Sequence, residues 1–447
     1  MMSLANLKRP EVNEAVGPKP AGIELAGLRA LSPICWAWTV VALSAIVLCC
    51  LVALSPAAPV YDEGWYLATL PLLQRHGLSF AFLTSIPGPA GPTYTFVYAV
   101  VEKLFGLNLP WARFTGVGLL TASSLLVASA LAARQLQRAM LPASPLLLGA
   151  ILIALPLVGV SAGMALTEMP AFFFVCLFLC ILFWSYPSRT FSIYGSLFGA
   201  GVAGLALGIA ILGRQNYLVI PLCLILLVRR GDGSWFRSDL AFMSVVFLTA
   251  LLVVAPVLIA WGGFVPPQTA SVSYGYSIRN GLFGAGYAGV IVLILAPQIY
   301  RPLSERWYIL AAMAFGSIVF ILLQNAEHLP AHAMLFRLGP PWTSVAGAVF
   351  AILLAGLGLA TIAALIHHLV ANFDSVMVRF STSVALLGLL TNAKVTHQFS
   401  SRYVFVFIPF LILALANNVC PNWQFPLRLA IGGLIGAMSL ASYFSLI

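Results

Sequence analysis

Apolar runs long enough to cross a bilayer as helices recur from one end of this 447-residue chain to the other. A run of about 18 or more apolar residues spans the hydrocarbon core as an α-helix. In lipid only helices and closed barrels satisfy their own backbone groups. Barrel strands would read as segments of about ten residues with alternating hydrophobicity, and the chain shows none. The sequence therefore predicts an all-α, polytopic transmembrane bundle. About 13 spans can be drawn by length, near 34–54, 111–133, 145–162, 166–184, 193–212, 215–230, 240–262, 283–299, 307–324, 343–366, 377–393, 402–418 and 426–446. The third and fourth nearly touch, as do the fifth and sixth, so a merged or re-entrant pair would change the count.

Composition closes off other classes. Hydrophobic residues make up 61% and charged residues 8%, whereas a soluble domain is near half apolar and about a quarter charged. The net charge of +10 invites a nucleic-acid partner. The Lys and Arg are scattered between apolar runs rather than gathered in one patch, so none is expected. Six of the seven cysteines fall in apolar runs, with no CxxC pair or Cys/His cluster, and read as packing residues.

The scattered cations report topology instead. Residues 1–33 form a polar, basic tail (Lys8, Arg9, Lys19, Arg29) ahead of the first run, which is too long for a signal-peptide core. "LSPAAPV" after it looks like a cleavage site, but a retained anchor fits better. With the tail in the cytoplasm, alternate loops carry Arg134, Arg138, Arg189, Arg229, Arg230, Arg237, Arg301, Arg306, Arg379 and Arg428. The other side keeps fewer: Arg75, Lys103, Arg113, Arg214, Arg279, Arg337, Lys394 and Arg402. The expected organisation is a cytoplasmic tail (1–33) and one transmembrane domain (34–447) with an extracytoplasmic loop at 55–110. In that loop "EGWYLATLPLLQRHG" and "PTYTFVYAVVEKLFG" read as interfacial helices, with Trp65, Tyr66, Tyr94 and Tyr98 at headgroup level. "SIPGPAGP" between them is a Pro/Gly loop.

Acids are scarce, 12 in all, yet Asp62 and Glu63 stand side by side in "VYDEGWY", just past the first span. Other rare polar residues fall on the same outer side. Glu168 opens the fourth span, and Arg214, Gln215 and Asn216 join the fifth to the sixth. Glu327, His328, His332 and Arg337 share a late loop, and Lys394, His397, Gln398 and Arg402 precede the twelfth span. A charge at the centre of a span costs about 2.5–3.5 kcal/mol on insertion scales. Charges kept at span edges are therefore expected to line an outward polar cavity. Plainer roles stay open. Asp62 could cap the helix that follows, with Glu63 favouring its positive end. Glu168 could be a cap, Arg214 a snorkelling or ion-paired arginine, and Arg402 and Lys394 interfacial anchors. His328 and His332 are spaced i, i+4, as on a metal-binding helix, but Pro330 interrupts the turn. His367 and His368 read as solvent-facing at a cytoplasmic helix end.

Taken in order, these stretches resemble the GT-C superfamily of integral-membrane glycosyltransferases, in its protein mannosyltransferase-like and aminoarabinose transferase-like branches. The likeness runs through "YDEGWY", the Pro-rich turn and helix of "PGPAGPTYTFVYAVVEKLFGLNLPWARFTGVGLL" with its G-x-x-x-x-x-x-R approach to the second span, "LTEMPAFFFVCLFL", "GLALGIAILGRQNYLVIPL" and "RYVFVFIPFLIL". The turn lacks the His-Pro-Pro of many relatives, and no large soluble domain follows the spans. The resemblance implies transfer of a sugar from a polyprenyl-phosphate donor to an acceptor hydroxyl on the extracytoplasmic face, with inversion. Asp62 would be the base, and Glu63 would position the acceptor or tune Asp62. Arg402 would hold the phosphate, with Lys394 and Arg214 as further candidates. Glu168, Gln215, Asn216, Tyr66 and His397 would bind sugar or acceptor. The implied partners are the lipid-linked donor, membrane lipids, and a lipid, glycan or protein acceptor; the implied place is a bacterial inner membrane. No cofactor is required, although a divalent metal at the Asp62/Glu63 pair is compatible with the residues. The rival class is a multi-pass transporter or flippase for a lipid-linked or polar substrate, which would favour repeated halves and polar residues near the midplane. A lipid-pyrophosphate polymerase would need a larger late outer loop than 325–342.

Overall fold

The computed structural model describes residues 32–88, 90–106, 108–135, 141–187, 193–228, 233–272, 275–301, 308–322, 339, 342–396 and 399–446. Every regular element among the described residues is helical. We number the α-helices α1 (Pro33–Ala53), α2 (Glu63–Leu67), α3 (Thr69–His76), α4 (Phe80–Ser85), α5 (Thr93–Phe105), α6 (Leu109–Gln135), α7 (Pro145–Ala150), α8 (Val158–Gly163), α9 (Glu168–Ser185) and α10 (Ile193–Gly213). They continue as α11 (Val219–Cys223), α12 (Gly233–Trp261), α13 (Ile278–Leu295), α14 (Tyr308–Leu322), α15 (Trp342–Ala371), α16 (Val376–Thr391), α17 (Arg402–Phe405), α18 (Ile408–Leu415) and α19 (Gln424–Tyr443).

Nine of the described helices are long and apolar enough to cross a membrane: α1, α6, α9, α10, α12, α13, α15, α16 and α19. The chain is a multi-pass membrane bundle. Four shorter apolar segments, Pro145–Ala154, Gln215–Leu227, Leu310–Ile321 and Ile408–Asn418, lie where the third, sixth, ninth and twelfth spans are expected.

Three of these shorter segments are broken, and the breaks have local causes. Ser144 caps α7 through its Oγ and Pro145 sits in the first turn. The segment then tightens into a 3₁₀ turn and turns extended at Leu155, because Pro156 follows and disfavours a helical residue before it. The chain re-enters helix at α8. The stretch 215–227 alternates 3₁₀ and α turns. α17 lasts four residues before the chain restarts as α18, with Pro409 in its first turn. A broken helix frees backbone groups that lipid cannot satisfy, so such segments belong inside the protein. The burial agrees: Leu147–Leu152 and Val158–Met169 are buried almost throughout, as is Val404–Ala416. α6 and α19 pack on the 3₁₀ turn after α7 and on α8, and α16 packs on both the 215–227 stretch and α18. Each of the three breaks lies close to a charged residue: Glu168 follows α8, Arg214 precedes the 3₁₀ turn at Gln215, and Arg402 opens α17.

The stretch 55–108 covers one end of the bundle with α2–α5. Trp65 is exposed, as an anchor requires, but Tyr66, Tyr94 and Tyr98 are not at the surface. Their rings form a buried column, Tyr66 to Tyr94 at 5.6 Å and Tyr94 stacked on Tyr98 at 4.3 Å, and the Tyr94 hydroxyl donates to the Ala165 carbonyl at 3.1 Å. These helices turn their aromatic faces to the protein, which corrects the headgroup expectation for these three residues. In the Pro/Gly loop Ile86, Gly88, Ala90, Gly91 and Pro92 are buried as well. A Cβ at Gly91 would overlap the Leu212 carbonyl oxygen, so only glycine lets the loop lie against the last turn of α10. Thr93 fixes the same contact by donating to the Ile209 carbonyl at 2.7 Å.

At the opposite end, Arg379 spends its guanidinium on the carbonyls of Leu226 (2.7 Å), Val228 (2.8 Å) and Phe373 (3.1 Å), capping the frayed end of the sixth segment. Arg428 donates to the Ile294 carbonyl at 3.1 Å. His368 corrects a second expectation: it is buried, with Nε2 3.2 Å from the Ala414 carbonyl, whereas His367 is exposed.

Candidate active site

The link from α1 to α2 is organised by one arginine of α6. Arg113 is buried, and all five of its N–H donors have acceptors. Nε gives to Glu63 Oε1 (2.9 Å), Nη1 to Ser55 Oγ (2.8 Å) and the Pro56 carbonyl (2.5 Å), and Nη2 to the Ala58 carbonyl (3.2 Å) and Glu63 Oε2 (2.6 Å). The Phe444 ring lies 4.8 Å from the guanidinium carbon. Glu63 is equally complete. Besides Arg113, Oε1 accepts the Ala165 amide at 2.9 Å and Oε2 the Val60 amide at 2.8 Å. A carboxylate offers about four lone-pair sites, and here all are filled. Glu63 therefore has nothing left for an acceptor, for a metal or for tuning its neighbour. The expectation that it assists Asp62 directly is corrected: its charge fixes the loop.

Asp62 differs on every count. Its main chain starts α2, with its carbonyl accepting the Trp65 and Tyr66 amides at 3.0 and 3.2 Å. Its side chain makes no capping bond, so the capping alternative does not describe it. Instead Oδ2 accepts from Arg402 Nη2 at 2.5 Å, across 340 residues of sequence. The Asp62 side chain keeps 31% of its surface accessible, and that of Arg402 17%.

Arg402 leads inward. Its Nε lies 3.5 Å from Glu168 Oε1, an ion pair without a hydrogen bond, and Nε itself has no acceptor. Glu168 is buried at the first turn of α9, and the same Oε1 also pairs with Arg214 Nη2. Arg214 sits where α10 has ended, with an extended backbone, and its Nε also lacks an acceptor. Asp62, Arg402, Glu168 and Arg214 thus form one alternating chain of charges. Four distant stretches of sequence supply it, and it runs from a half-exposed rim into the bundle. Tyr66 faces the same group. Burial raises its phenol pKa above the ordinary value, Arg214 and Arg402 lower it, and Glu168 and Asp62 raise it.

The remaining expected residues divide. Gln215 and Asn216 follow Arg214 directly and are half-buried. Lys394 is exposed, with its ammonium 4.4 Å from the Tyr276 ring centroid, and makes no ion pair among the described residues. His397, Gln398, Glu327, His328, His332 and Arg337 lie outside the described residues. For a divalent metal the donor set fits poorly. Glu63 is saturated, Asp62 and Glu168 are each held by arginine, and no cluster of three ligating side chains occurs among the described residues. Sequence reasoning missed Arg113 as a partner of the acidic pair. Its signal was present: a lone arginine in the first turn of an outer span edge, which is costly unless paired.

No family model and no curated protein matches the sequence. In structure the chain is similar to ArnT from Cupriavidus metallidurans bound to undecaprenyl phosphate (16% identity, TM-score 0.45, 91% of this chain and 77% of that one). It is similar to a chain of the S. cerevisiae protein O-mannosyltransferase Pmt1-Pmt2 complex bound to the sugar donor (15%, TM-score 0.39, 57% of this chain) and spans 37% of that chain's length. It is also similar to the archaeal oligosaccharyltransferase AglB from Archaeoglobus fulgidus in complex with an inhibitory peptide and a dolichol-phosphate (14%, TM-score 0.35, 88% of this chain), spanning 55% of that one. All three are GT-C superfamily glycosyltransferases, the superfamily the sequence resembles. At TM-scores below 0.5 these likenesses leave the reading of function to the site residues.

Proposed function

We propose that the chain is a membrane glycosyltransferase that moves a sugar from a polyprenyl-phosphate donor to an acceptor hydroxyl, with Asp62 as the general base. One observation carries the phosphate half of this reading. Arg402 and Arg214 flank Glu168, and each keeps a buried Nε–H without an acceptor. A buried donor left unsatisfied costs about 1–3 kcal/mol, more when charged. Two such donors on neighbouring guanidinium groups suit a ligand rich in anionic oxygens, which arginine forks match in shape.

The chemistry follows from the charge chain. Phosphate oxygens compete with Asp62 and Glu168 for the two arginines. Losing Arg402 to the phosphate releases the Asp62 carboxylate at the exposed rim, where an acceptor can reach it. Asp62 takes the hydroxyl proton, the acceptor oxygen bonds to the anomeric carbon from the far side, and the bond from that carbon to the phosphate oxygen breaks. Its electron pair leaves on polyprenyl phosphate, whose charge the arginines hold, and the anomeric configuration inverts. In this reading Glu168, Gln215, Asn216 and Tyr66, next to the charge chain, would bind sugar hydroxyls. An open apolar groove of about 270 Å³, lined by Pro221, Leu224 and Ile225 with Met243, Phe247 and Leu248 of α12, lies further along the segment that starts after Arg214 and suits a lipid tail.

The test is purified protein in lipid nanodiscs with polyprenyl-phosphate mannose, glucose, galactose and arabinose. Release of polyprenyl phosphate by wild type, lost in Asp62→Asn and in Arg402→Gln, is the expected result. If no donor is cleaved, or Asp62→Asn cleaves as fast as wild type, the assignment fails. Movement of an intact donor across the bilayer of sealed proteoliposomes, without cleavage, would favour the transporter reading.

A further inference from the structure

Tyr61, next to the proposed base, holds a left-handed backbone (φ 55). Among the described residues only Ser445 (φ 54) shares this among non-glycines. Side chains with a Cβ adopt this conformation at a cost, and the strain persists only where surroundings over-determine it. Here they do. Arg113 pins the carbonyls of Pro56 and Ala58 ahead of it, and Glu63, two residues after it, reaches back to accept the amide of Val60. Burial does not offset the strain, because Tyr61 is 67% exposed. Its ring is nevertheless placed: Tyr443, at the end of α19, packs edge-on against it with centroids 5.1 Å apart and planes at 68°. Two tyrosines, the exposed edge of Asp62 and Arg402 therefore share one rim. A residue serving only as a membrane anchor needs no particular backbone, and a strained one beside a base asks for a functional reason.

We infer that Tyr61, braced by Tyr443, is the platform for a carbohydrate acceptor. The inference rests on the glycosyltransferase reading above. A pyranoside presents an apolar C–H face, which an exposed aromatic ring receives, and hydroxyls at its edge, one of which would reach the Asp62 carboxylate. A lipid alcohol would gain nothing from a solvent-exposed ring. Tyr61 is thus a binding residue that selects the acceptor class and takes no part in donor cleavage.

The experiment uses the full chain in nanodiscs with the four donors named above. The acceptors offered are methyl disaccharides, a Ser/Thr peptide and farnesol, with donor hydrolysis to water measured in parallel. Wild type is expected to glycosylate a disaccharide and neither of the others. Loss of one aromatic contact is worth about tenfold in binding, so Tyr61→Ala should raise acceptor KM about tenfold. Its kcat and its donor hydrolysis should stay within about twofold, while Tyr61→Phe and Tyr61→Trp keep the wild-type KM. Tyr61→Gly, which relieves the backbone, should melt no lower than wild type and show the same KM defect. Use of the peptide or farnesol in place of disaccharides overturns the inference, as does an unchanged KM in Tyr61→Ala. Donor hydrolysis without disaccharide transfer overturns it and leaves the donor reading standing. Absence of any donor cleavage takes both down.

Discussion

Asp62 and Glu63 are neighbours in sequence, bear the same charge and each binds an arginine, yet they occupy opposite physical situations. Glu63 and Arg113 are fully buried, and every donor and acceptor they own is used. Asp62 and Arg402 are partly open, share a single hydrogen bond, and leave Arg402 Nε unanswered. A saturated buried pair resists change, because removing either member strands the other charge. An unsaturated pair at a rim can exchange partners at low cost. Adjacency therefore couples a rigid anchor to a labile group: Glu63 holds the turn, and Asp62 is presented from it.

The largest separation between the two acids should come from isosteric amides, measured for both activity and stability. Asp62→Asn removes the proposed base. General-base catalysis is worth about 10²–10⁴-fold, so transfer should fall by about that factor while the melting temperature stays near wild type. Glu63→Gln should do the reverse in kind. Breaking a buried pair by removing one partner costs about 3–5 kcal/mol. The protein should therefore melt well below wild type in detergent, with turnover per folded molecule only partly reduced. If Glu63→Gln leaves stability intact and abolishes turnover, the division of labour drawn here is wrong.

A smaller effect sharpens the labile side. Arg402→Lys keeps a positive charge for Asp62 and for phosphate but loses the planar fork and Nε. Donor KM should rise about tenfold to a hundredfold, the scale of a lost charge-assisted hydrogen bond. Stability should change little. Arg214→Lys should act in the same direction and more weakly, because Glu168 stands between Arg214 and the rim. An equal or larger effect at Arg214 would place the phosphate deeper in the bundle.

How far the sequence alone could separate these roles depends on where each residue's partner lies. The long spans were legible because each is a continuous apolar run, and the charged residues of the candidate site stood out because charges are scarce in such a chain. The broken segments were not, since Pro156 and the 3₁₀ turns after Arg214 look like ordinary span edges until neighbours bury them. Asp62 and Glu63 could not be told apart because their partners sit 340 and 50 residues away. Tyr66, Tyr94 and Tyr98 were misplaced for a related reason: amphipathic spacing reads the same whether the aromatic face meets headgroups or protein. His368 was misplaced because a histidine at a helix end gives no sign of the Ala414 carbonyl that buries it.

The smallest effect tests whether the anchor is needed as a charge pair or only as a filled volume. Replacing a buried ion pair with apolar residues of similar size is often neutral, so Glu63→Met with Arg113→Met should recover much of what either single change loses. It should not recover everything. Arg113 also satisfies Ser55 Oγ and the carbonyls of Pro56 and Ala58, and each buried acceptor left without a donor costs about 1–3 kcal/mol. A double-mutant cycle on melting should show strong coupling between the two sites, with a residual deficit of about 3 kcal/mol or more, because those three acceptors and the Val60 and Ala165 amides all lose their partners. Turnover of the double variant is the more telling measurement. The Pro56 and Ala58 carbonyls are what Arg113 pins ahead of Tyr61. A variant that folds without that restraint should keep donor cleavage, because Asp62 still has Arg402, and lose acceptor affinity, because Tyr61 is no longer held. If both activities survive at wild-type levels, the turn needs only packing. If both are lost in a folded protein, the anchor and the base are one unit.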